Sequence, residues 1–418
     1  MKDMIKKFFP SFIISWYHLV LAFLGALFYG FPSRKLKVIG VTGTNGKTTV
    51  VEMCRQVLDE AGFKVASLSS VKFKIKDREW PNILKMTMPG RFKIQKFLRQ
   101  AEDAGCEYAV LEVTSEGIRQ HRHRFIDFNT AVFTNITPEH VERHGSFEKY
   151  RKAKGKLFQA CKNIHIINLD DKNAEYFLQF PASKKIGYRI NDGQAIIERS
   201  RTPLNLRLPG NFNLYNAAAA ISVGLSHRIS LEICKKAVEM MESVPGRMEL
   251  VVKEPFRVFV DYAHNPDALE KIYQAISGRK ICVLGSAGGG RDKWKRPELG
   301  RIASKYCDEI ILTNEDPYDE NPEKILSEIK SGIPNTKYQI SPYGRSPEGR
   351  LNTIIDRIEA IKKALSLAKP GDAVIVTGKG SEPWMCVAGG KKIPWSDKAI
   401  VLDGFDKLTI NAEQNRMH

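Results

Sequence analysis

The stretch of sequence that decides the fold is residues 36–49, which read Leu-Lys-Val-Ile-Gly-Val-Thr-Gly-Thr-Asn-Gly-Lys-Thr-Thr. The apolar first half predicts a short buried strand, and a turn containing Gly43 and Gly46 leads from it into a helix that begins near Lys47. Such a turn aims backbone N–H groups and a helix N-terminus at an anion. Lys47 can reach the outer phosphates of a nucleotide, and the Thr48 hydroxyl can bind Mg²⁺. The alternative is an ordinary strand–turn–helix corner with a solvated lysine.

The composition limits the class of protein. A chain of 418 residues predicts two or three domains, and 43% hydrophobic with 27% charged residues is typical of a folded soluble protein. The net charge of +18 favours anionic partners. Nucleic acid is disfavoured, because the basic residues are spread rather than clustered with aromatic residues. The seven cysteines form no CxxC pair, which favours a reducing compartment over a disulfide framework and gives no zinc site.

The first 35 residues differ from the rest of the chain. Residues 1–7 are basic, and residues 8–31 are almost entirely apolar with aromatic residues at both ends. A segment of this length and pattern is typical of one that spans a bilayer or lies in its interface. A cleaved signal peptide is disfavoured, because the next segment predicts a site that needs cytosolic ATP. We predict membrane contact through residues 8–31; the alternative is a helix packed on the soluble body.

From residue 36 onward, strand and helix patterns alternate, which predicts α/β architecture. Residues 36–245 predict a P-loop-type domain with a mostly parallel sheet covered on both faces. The run Val-Pro-Gly-Arg at 244–247 predicts a hinge. Residues 246–418 predict a second, Rossmann-like α/β domain. In such sheets, ligands bind at the carboxyl ends of the strands.

Further motifs follow the predicted strands in a fixed order. Glu112 ends a strand beside the phosphate loop, where a carboxylate is a natural Mg²⁺ ligand. Together with the motifs that follow, this residue makes the chain resemble the Mur ligase family over residues 36–400, and most of all the branch of that family that adds a diamino acid. The motifs that carry the resemblance are, in order, Thr42–Thr49, Glu112–Ser115, Asn135–Gly145, Ala153–Phe158, Leu208–Asn216, Val244–Arg247, Asp261–Asp267, Gly288–Pro297 and Gly378–Glu382. Folylpolyglutamate and cyanophycin synthetases are more distant relatives in the same superfamily.

The resemblance implies an enzyme of peptidoglycan precursor synthesis, an ATP-dependent ligase that works through an acyl phosphate. The implied substrates are ATP with Mg²⁺, the UDP-sugar peptide UDP-N-acetylmuramoyl-L-alanyl-D-glutamate, and a free diamino acid. The implied protein is a monomer in the cytoplasm, free or attached to the inner face of the membrane. Two alternatives stay open: a ligase of the same superfamily with a non-UDP acceptor, and a membrane-tethered nucleotide-binding protein without ligase turnover.

The resemblance also implies roles for individual residues. The implied catalytic residues are Lys47, His140 and Lys154. The implied nucleotide contacts are Gly43, Thr44, Asn45, Gly46, Lys47, Thr48, Thr49, Asn135, Asn216, Arg247 and Asp261. The implied metal site is made of Thr48, Glu112, His140 and a carbamylated Lys154, although spacing alone favours an ordinary surface lysine at position 154. The implied substrate contacts are Thr87, Thr114, Gln120, Arg122, Glu315, Asp316, Tyr318, Gly378 and Glu382.

The chain departs from the family pattern in three places. Only 35 mostly apolar residues precede the phosphate loop, where the family usually has a UDP-binding domain, so UDP recognition would be supplied otherwise. The family's Ser-Ser-His after the strand-end glutamate reads Thr-Ser-Glu at 114–116. The Asp-Asn-Pro-Arg motif that selects meso-diaminopimelate reads Glu-Asp-Pro-Tyr at 315–318. Because Tyr318 replaces the arginine and two acids stand beside it, we predict a lysine-like amine. The alternative is that Lys293, Lys295 or Arg296 supplies the missing cation.

Overall fold

The computed structural model describes residues 10–84, 86–139, 141–198, 200–334 and 351–414. The chain divides into two compact units. The first unit comprises residues 1–207 and 211–242, and the second comprises residues 208–210 and 243–418.

The strands and helices follow one another along each unit. The strands of the first unit are β1 (Lys37–Thr42), β2 (Val65–Leu68), β3 (Lys72–Ile75), β4 (Arg78–Pro81), β5 (Tyr108–Glu112), β6 (Phe128–Phe133), β7 (Ile164–Asn168), β8 (Lys184–Asn191), β9 (Gln194–Ile197) and β10 (Ser200–Thr202). Its helices are α1 (Ser11–Phe28), α2 (Lys47–Glu60), α3 (Arg91–Asp103), α4 (Ser115–Arg119), α5 (Val141–His144), α6 (Phe147–Ala160), α7 (Ala174–Leu178), α8 (Phe212–Ser226) and α9 (Leu231–Glu239).

The second unit continues the same alternation. Its strands are β11 (Glu249–Val252), β12 (Arg257–Val260), β13 (Lys280–Leu284), β14 (Glu309–Leu312), β15 (Leu351–Thr353), β16 (Ala373–Val376), β17 (Trp384–Cys386) and β18 (Lys392–Pro394). Its helices are α10 (Pro266–Ala275), α11 (Lys295–Tyr306), α12 (Pro322–Lys330), α13 (Arg357–Leu367) and α14 (Asp397–Gln414).

The sheet of the first unit places the phosphate loop at its centre. The strand order is β10-β9-β8-β7-β6-β1-β5-β2-β3-β4. The six strands from β8 to β2 are parallel, and the hairpin strands at the two edges are antiparallel. Val38, Ile39 and Val41 are completely buried, because β1 lies between β5 and β6 with helices on both faces. The predicted mostly parallel sheet is confirmed.

The sheet of the second unit has the order β11-β12-β16-β13-β14-β15. Every neighbouring pair is parallel except β11 and β12. A disulfide joins Cys282 on β13 to Cys307, which lies two positions before the first residue of β14. The expectation of cysteines without disulfides is therefore wrong for this pair. Parallel pairing of β13 and β14 brings the two Cα atoms to 6.1 Å, although 25 positions separate the residues in the sequence.

The N-terminal segment forms α1, and one side of this helix packs on the first unit. Ala22 and Ala26 are buried in the contact, and the Phe23 ring lies 5.4 Å from the Phe125 ring, centroid to centroid. Within the part of the chain that the structure describes, no helix has both the length and the apolar character needed to cross a bilayer.

Candidate active site

The predicted phosphate loop connects the end of β1 to the start of α2. Gly43 has a φ of +154° and Gly46 a φ of +82°. A Cβ atom on Gly43 would lie 1.9 Å from Thr134 Oγ1, and one on Gly46 would lie 2.4 Å from Asn216 Oδ1. Both positions therefore require glycine, because the backbone conformation and the close neighbours each exclude a side chain.

The end of β6 holds the loop in place. The Asn45 backbone N–H donates to Asn135 Oδ1 at 2.9 Å. The Asn45 carbonyl accepts from Asn135 Nδ2 at 3.0 Å and from Thr134 Oγ1 at 2.8 Å. The Thr44 N–H donates to the Asn135 carbonyl at 2.8 Å. Three residues implied for nucleotide contact, Thr44, Asn45 and Asn135, are thus in direct contact in a preformed loop.

Side chains of the loop and of the first turn of α2 make further contacts around the loop. Lys47 Nζ donates to the Thr44 carbonyl at 2.7 Å, so the ammonium lies across the loop. Thr44 Oγ1 lies 3.1 Å from the Tyr150 hydroxyl of α6. Thr49 is buried in the first turn of α2. The structure places all the loop residues of the prediction at one strand end.

Three oxygen atoms meet beside the loop. Thr48 Oγ1 lies 3.0 Å from Glu112 Oε2 and 2.8 Å from Ser70 Oγ, and the Ser70 N–H donates to Glu112 Oε2 at 2.9 Å. Ser70 is not among the residues predicted from the sequence. A signal was available, because Ser69 and Ser70 directly follow β2, which pairs with β5 and therefore ends beside Glu112. Among the described residues, no group of three His, Cys, Asp or Glu side chains could hold a metal ion. The cluster offers one carboxylate and two hydroxyl oxygens.

Lys154 on α6 is buried at the same strand end and is only 2% exposed. Its Nζ donates to the Gly43 carbonyl at 2.6 Å and lies 4.6 Å from the centroid of the Tyr150 ring. Burial and the nearby Lys47 lower the pKa of Lys154 well below its usual value, although Glu139 and Glu112 oppose this shift. The alternative of an ordinary surface lysine is therefore wrong. His140, which completes the implied metal site, lies outside the described residues.

A second cluster in the first unit joins residues that the resemblance assigns to the UDP-sugar peptide. Arg122 is 9% exposed and donates to Gln120 Oε1 at 2.8 Å and to the Met88 carbonyl. The half-buried Thr87 directly precedes Met88, so this arginine ties Gln120 to the segment that carries Thr87. Thr114 caps α4, where its side chain accepts from the Gly117 N–H at 3.1 Å.

In the second unit, Asp261 and Arg247 lie around one turn. Asp261 is buried, and its two carboxylate oxygens accept from the Met248 and Ala263 N–H groups, each at 2.5 Å. Burial raises the pKa of Asp261, and the nearby Arg247 opposes this shift. The Arg247 guanidinium lies 4.5 Å from the centroid of the Tyr262 ring. The aspartate therefore fixes the backbone that carries Arg247.

Several of the predicted substrate contacts surround a buried lysine that was not among the predicted site residues. Lys379 is fully buried, and its Nζ donates to Asp316 Oδ1 at 2.9 Å and to Glu382 Oε2 at 2.6 Å. Gly378 has a φ of +105°, and a Cβ atom there would lie 2.5 Å from Glu315 Oε2. The structure therefore brings together Glu315, Asp316, Gly378 and Glu382.

The three cations that the sequence offers in place of the missing arginine have partners of their own. Arg296 donates to Glu320 at 3.0 Å and to Glu328 at 2.6 Å, and Lys295 donates to the His264 carbonyl at 2.7 Å. Lys293 pairs with Glu320 at 3.5 Å. Arg291 hydrogen bonds to Tyr318 and also interacts with Glu382. Arg291 lies inside the Gly288–Pro297 motif and is a functional candidate that the motif alone did not single out.

The two acids beside Tyr318 also differ from the sequence-based expectation. Glu315 and Asp316 are only 5% and 4% exposed. Asp316 is occupied by Lys379 and by the Cys386 N–H, which donates to it at 2.7 Å. Burial raises the pKa of Glu315, and the nearby Lys295 opposes this shift. Both carboxylates are thus buried, which weakens the support that they gave to a lysine-like amine, and the preference itself stays a prediction.

Comparison with known proteins gives matches over most of the chain. Residues 41–224 match the Mur ligase middle domain, and residues 246–380 match the Mur ligase glutamate ligase domain. A UDP-N-acetylmuramoyl-L-alanyl-D-glutamate–2,6-diaminopimelate ligase from Caldanaerobacter subterraneus subsp. tengcongensis is 37% identical over 403 residues, which cover 91% of this chain and 80% of that protein. A UDP-N-acetylmuramyl-tripeptide synthetase from Roseiflexus sp. is 36% identical over 428 residues, covering 93% of this chain and 82% of that protein.

Solved structures show the same architecture. One of a UDP-N-acetylmuramoyl-L-alanyl-D-glutamate–2,6-diaminopimelate ligase has a TM-score of 0.59 and 29% identity, and covers 90% of this chain and 79% of that one. Mycobacterium tuberculosis folylpolyglutamate synthase, with a TM-score of 0.67 and 18% identity over 86% of this chain and 92% of that one, shares the fold. The protein therefore belongs to the Mur ligase family of ATP-dependent ligases that form carbon–nitrogen bonds.

Proposed function

We propose that this ligase adds 2,6-diaminopimelate to UDP-N-acetylmuramoyl-L-alanyl-D-glutamate, using ATP to form an acyl phosphate. The ligase assignment rests on one observation. The phosphate loop, the oxygen cluster around Glu112 and the buried Lys154 lie together at one strand end. The names of the relatives supply the substrate class, because they match at 36–37% identity over more than 90% of this chain.

The phosphate loop supplies positioning and positive charge. Backbone N–H groups at the start of α2 face the phosphates of ATP, and Lys47 neutralises charge on the phosphoryl group as it transfers. Phosphoryl transfer depends on such electrostatic stabilisation more than on covalent chemistry. Thr48, Ser70 and Glu112 offer hard oxygen donors, which fit Mg²⁺, and the bound ion would further neutralise the phosphates.

We propose that Lys154 reacts with CO₂ to form a carbamate. The low pKa of its amine favours the neutral form, whose lone pair can attack the carbon of CO₂. The new N–C bond forms as one C=O electron pair moves to oxygen, and the nitrogen releases a proton to water. A neutral amine is thereby replaced by an anion beside Glu112 and Lys47, which suits a residue that helps to hold Mg²⁺. His140 would complete the set.

The two remaining clusters would bind the other substrates. Thr87, Thr114, Gln120 and Arg122 would contact the UDP-sugar peptide, which is anionic and suits Arg122. Asn216 would add a nucleotide contact in the first unit. Arg247 and Asp261 stay predicted nucleotide contacts of the second unit. Arg291 would bind the distal carboxylate of diaminopimelate, because a guanidinium can form two parallel hydrogen bonds with a carboxylate. Glu382 would face the ammonium group at the same end of diaminopimelate.

A product assay tests this function directly. The full chain is incubated with ATP, Mg²⁺, UDP-N-acetylmuramoyl-L-alanyl-D-glutamate, and equal concentrations of meso-diaminopimelate and lysine. We expect phosphate release that depends on the acceptor and a product that contains diaminopimelate, and we expect neither with Lys47→Ala. A product that contains mainly lysine would restore the sequence-based prediction. Phosphate release without any amide product would overturn the proposed function.

We further propose that the enzyme acts as a monomer in the cytoplasm, where ATP and UDP-sugars are available. Analytical ultracentrifugation of the full chain tests the oligomeric state. A stable dimer at micromolar concentration would contradict this proposal.

A further inference from the structure

Helix α1 has one face that is bound to the first unit. Ser15 Oγ lies 2.8 Å from His121 Nε2, and His18 Nδ1 hydrogen bonds to the Arg91 guanidinium. Burial and Arg91 lower the pKa of His18 to about 4, so its ring is neutral at physiological pH and can accept this hydrogen bond. Ala22 and Ala26 continue the same face and are buried. This face is therefore fully used by contacts within the unit.

The opposite face of α1 is apolar and open to solvent. Large side chains recur every fourth residue, which places them in one row along the helix. Seven members of this face expose between 43% and 75% of their surface: Phe12, Trp16, Tyr17, Val20, Leu24, Leu27 and Phe28. Phe92 on α3 extends the surface, since its ring lies 6.5 Å from that of Phe28. Soluble monomers rarely expose large contiguous apolar patches unless the patch binds a partner.

We propose that this apolar face lies in the surface of an anionic lipid bilayer, with the α1 axis parallel to the membrane plane. This proposal goes beyond the ligase function and does not depend on it. The bound face of α1 fixes the orientation, because Ser15, His18, Ala22 and Ala26 must stay on the protein side. Trp16 and Tyr17 on the open face are the residue types that favour the membrane–water boundary.

Charge favours a bilayer over a second copy of the chain. Lys93 and Lys96 are exposed on α3 next to Phe92, and Arg34 and Lys35 are exposed just after α1. The whole chain carries a net charge of +18. Two copies would bring like charges together at this edge, whereas an anionic lipid surface attracts them.

Docking on a bilayer would also orient the acceptor side of the candidate site. Arg91, which binds His18, donates through Nε to the Gln120 carbonyl at 3.0 Å. His121, which binds Ser15, follows directly, and the Phe125 ring packs on Phe23. Residues 120–125 are thus tied to α1, so membrane docking would hold Gln120 and Arg122 close to the lipid surface.

Vesicle flotation with the full chain tests the proposal. The vesicles contain phosphatidylcholine alone or phosphatidylcholine with phosphatidylglycerol. We expect binding to the anionic vesicles and weak binding to the neutral ones. The variant Trp16→Ser/Leu24→Ser/Phe28→Ser should reduce the bound-to-free ratio by at least about tenfold. The variant Lys93→Gln/Lys96→Gln should reduce it several-fold, and added salt should weaken wild-type binding.

A matched control replaces exposed apolar residues elsewhere, Met240→Ser/Leu250→Ser/Ile393→Ser, and should bind like the wild type. All variants should keep their melting temperature and their ligase rate without vesicles. A monomeric wild type that fails to bind anionic vesicles would overturn the proposal, as would an equal loss in the control variant. A dimer that dissociates only in the α1 variant would assign the face to a second copy instead. Each of these outcomes can be measured whether or not the ligase assay gives the proposed product.

Discussion

Lys154 in the first unit and Lys379 in the second are both buried, but their partners differ. Lys154 donates to a backbone carbonyl and lies near Lys47, and its pKa is lowered well below the usual value. Lys379 lies between the carboxylates of Asp316 and Glu382. Burial alone therefore does not define the role of a lysine. The partners make Lys154 a candidate nucleophile and Lys379 a charged structural link.

The largest effect is expected at Lys154. Lys154→Ala should lower the ligase rate by about a thousandfold or more, because it removes the proposed carbamate beside the phosphates. Formate or acetate should restore part of the rate by placing a free carboxylate in the gap. The control Lys156→Ala changes an exposed lysine on the same helix and should be near normal. Full activity of Lys154→Ala would remove the residue from the mechanism.

At Lys379 we expect a loss of stability. Lys379→Met should reduce the free energy of unfolding of the second unit by about 3–5 kcal/mol, because Asp316 stays buried without its cation. Urea denaturation measures this change. Lys407→Met breaks a surface pair with Asp403 and should cost no more than about 1 kcal/mol. Equal costs for the two variants would contradict the structural role of Lys379.

Arg291 tests whether a second cation of this region serves the substrate rather than the fold. Arg291→Ala should raise the KM for diaminopimelate about 10- to 100-fold and leave the KM for ATP nearly unchanged, because a paired carboxylate would lose its partner. Arg291→Lys should fall in between. The control Arg301→Ala removes an exposed arginine and should have no effect. A shift in the melting temperature without a change in KM would make Arg291 structural.

The smallest effect concerns pH. Because the pKa of Lys154 is lowered in the folded chain, the unfolded chain binds more protons between that pKa and about 10.5. In CO₂-free buffer the free energy of unfolding should therefore rise with pH in this window, by at most about 1.4 kcal/mol per pH unit. Lys154→Met should lack this rise when urea denaturation is repeated from about pH 7 to about pH 9. Parallel curves for the two proteins would contradict the lowered pKa.

The first unit could be predicted further from the sequence than the second. At Gly43 and Gly46 the backbone conformation requires glycine, so the glycines of a linear motif are enough to predict the shape of the loop. The ionic partners of Lys379 and Arg296 lie up to 63 positions away or on other helices, and a linear motif does not specify them. The predicted preference for lysine-like amines rested on the local sequence alone, whereas the pairing of Asp316 with Lys379 appears only when the chain is folded. The burial of Lys154 was also invisible among its exposed neighbours.

The proposed chemistry of Lys154 is tested most directly by ¹³C NMR of the protein equilibrated with ¹³C-labelled bicarbonate. We predict a lysine carbamate resonance in the wild type and in Lys379→Met, and its loss in Lys154→Met. An active wild-type preparation without this resonance, or a resonance that persists in Lys154→Met, would contradict the account.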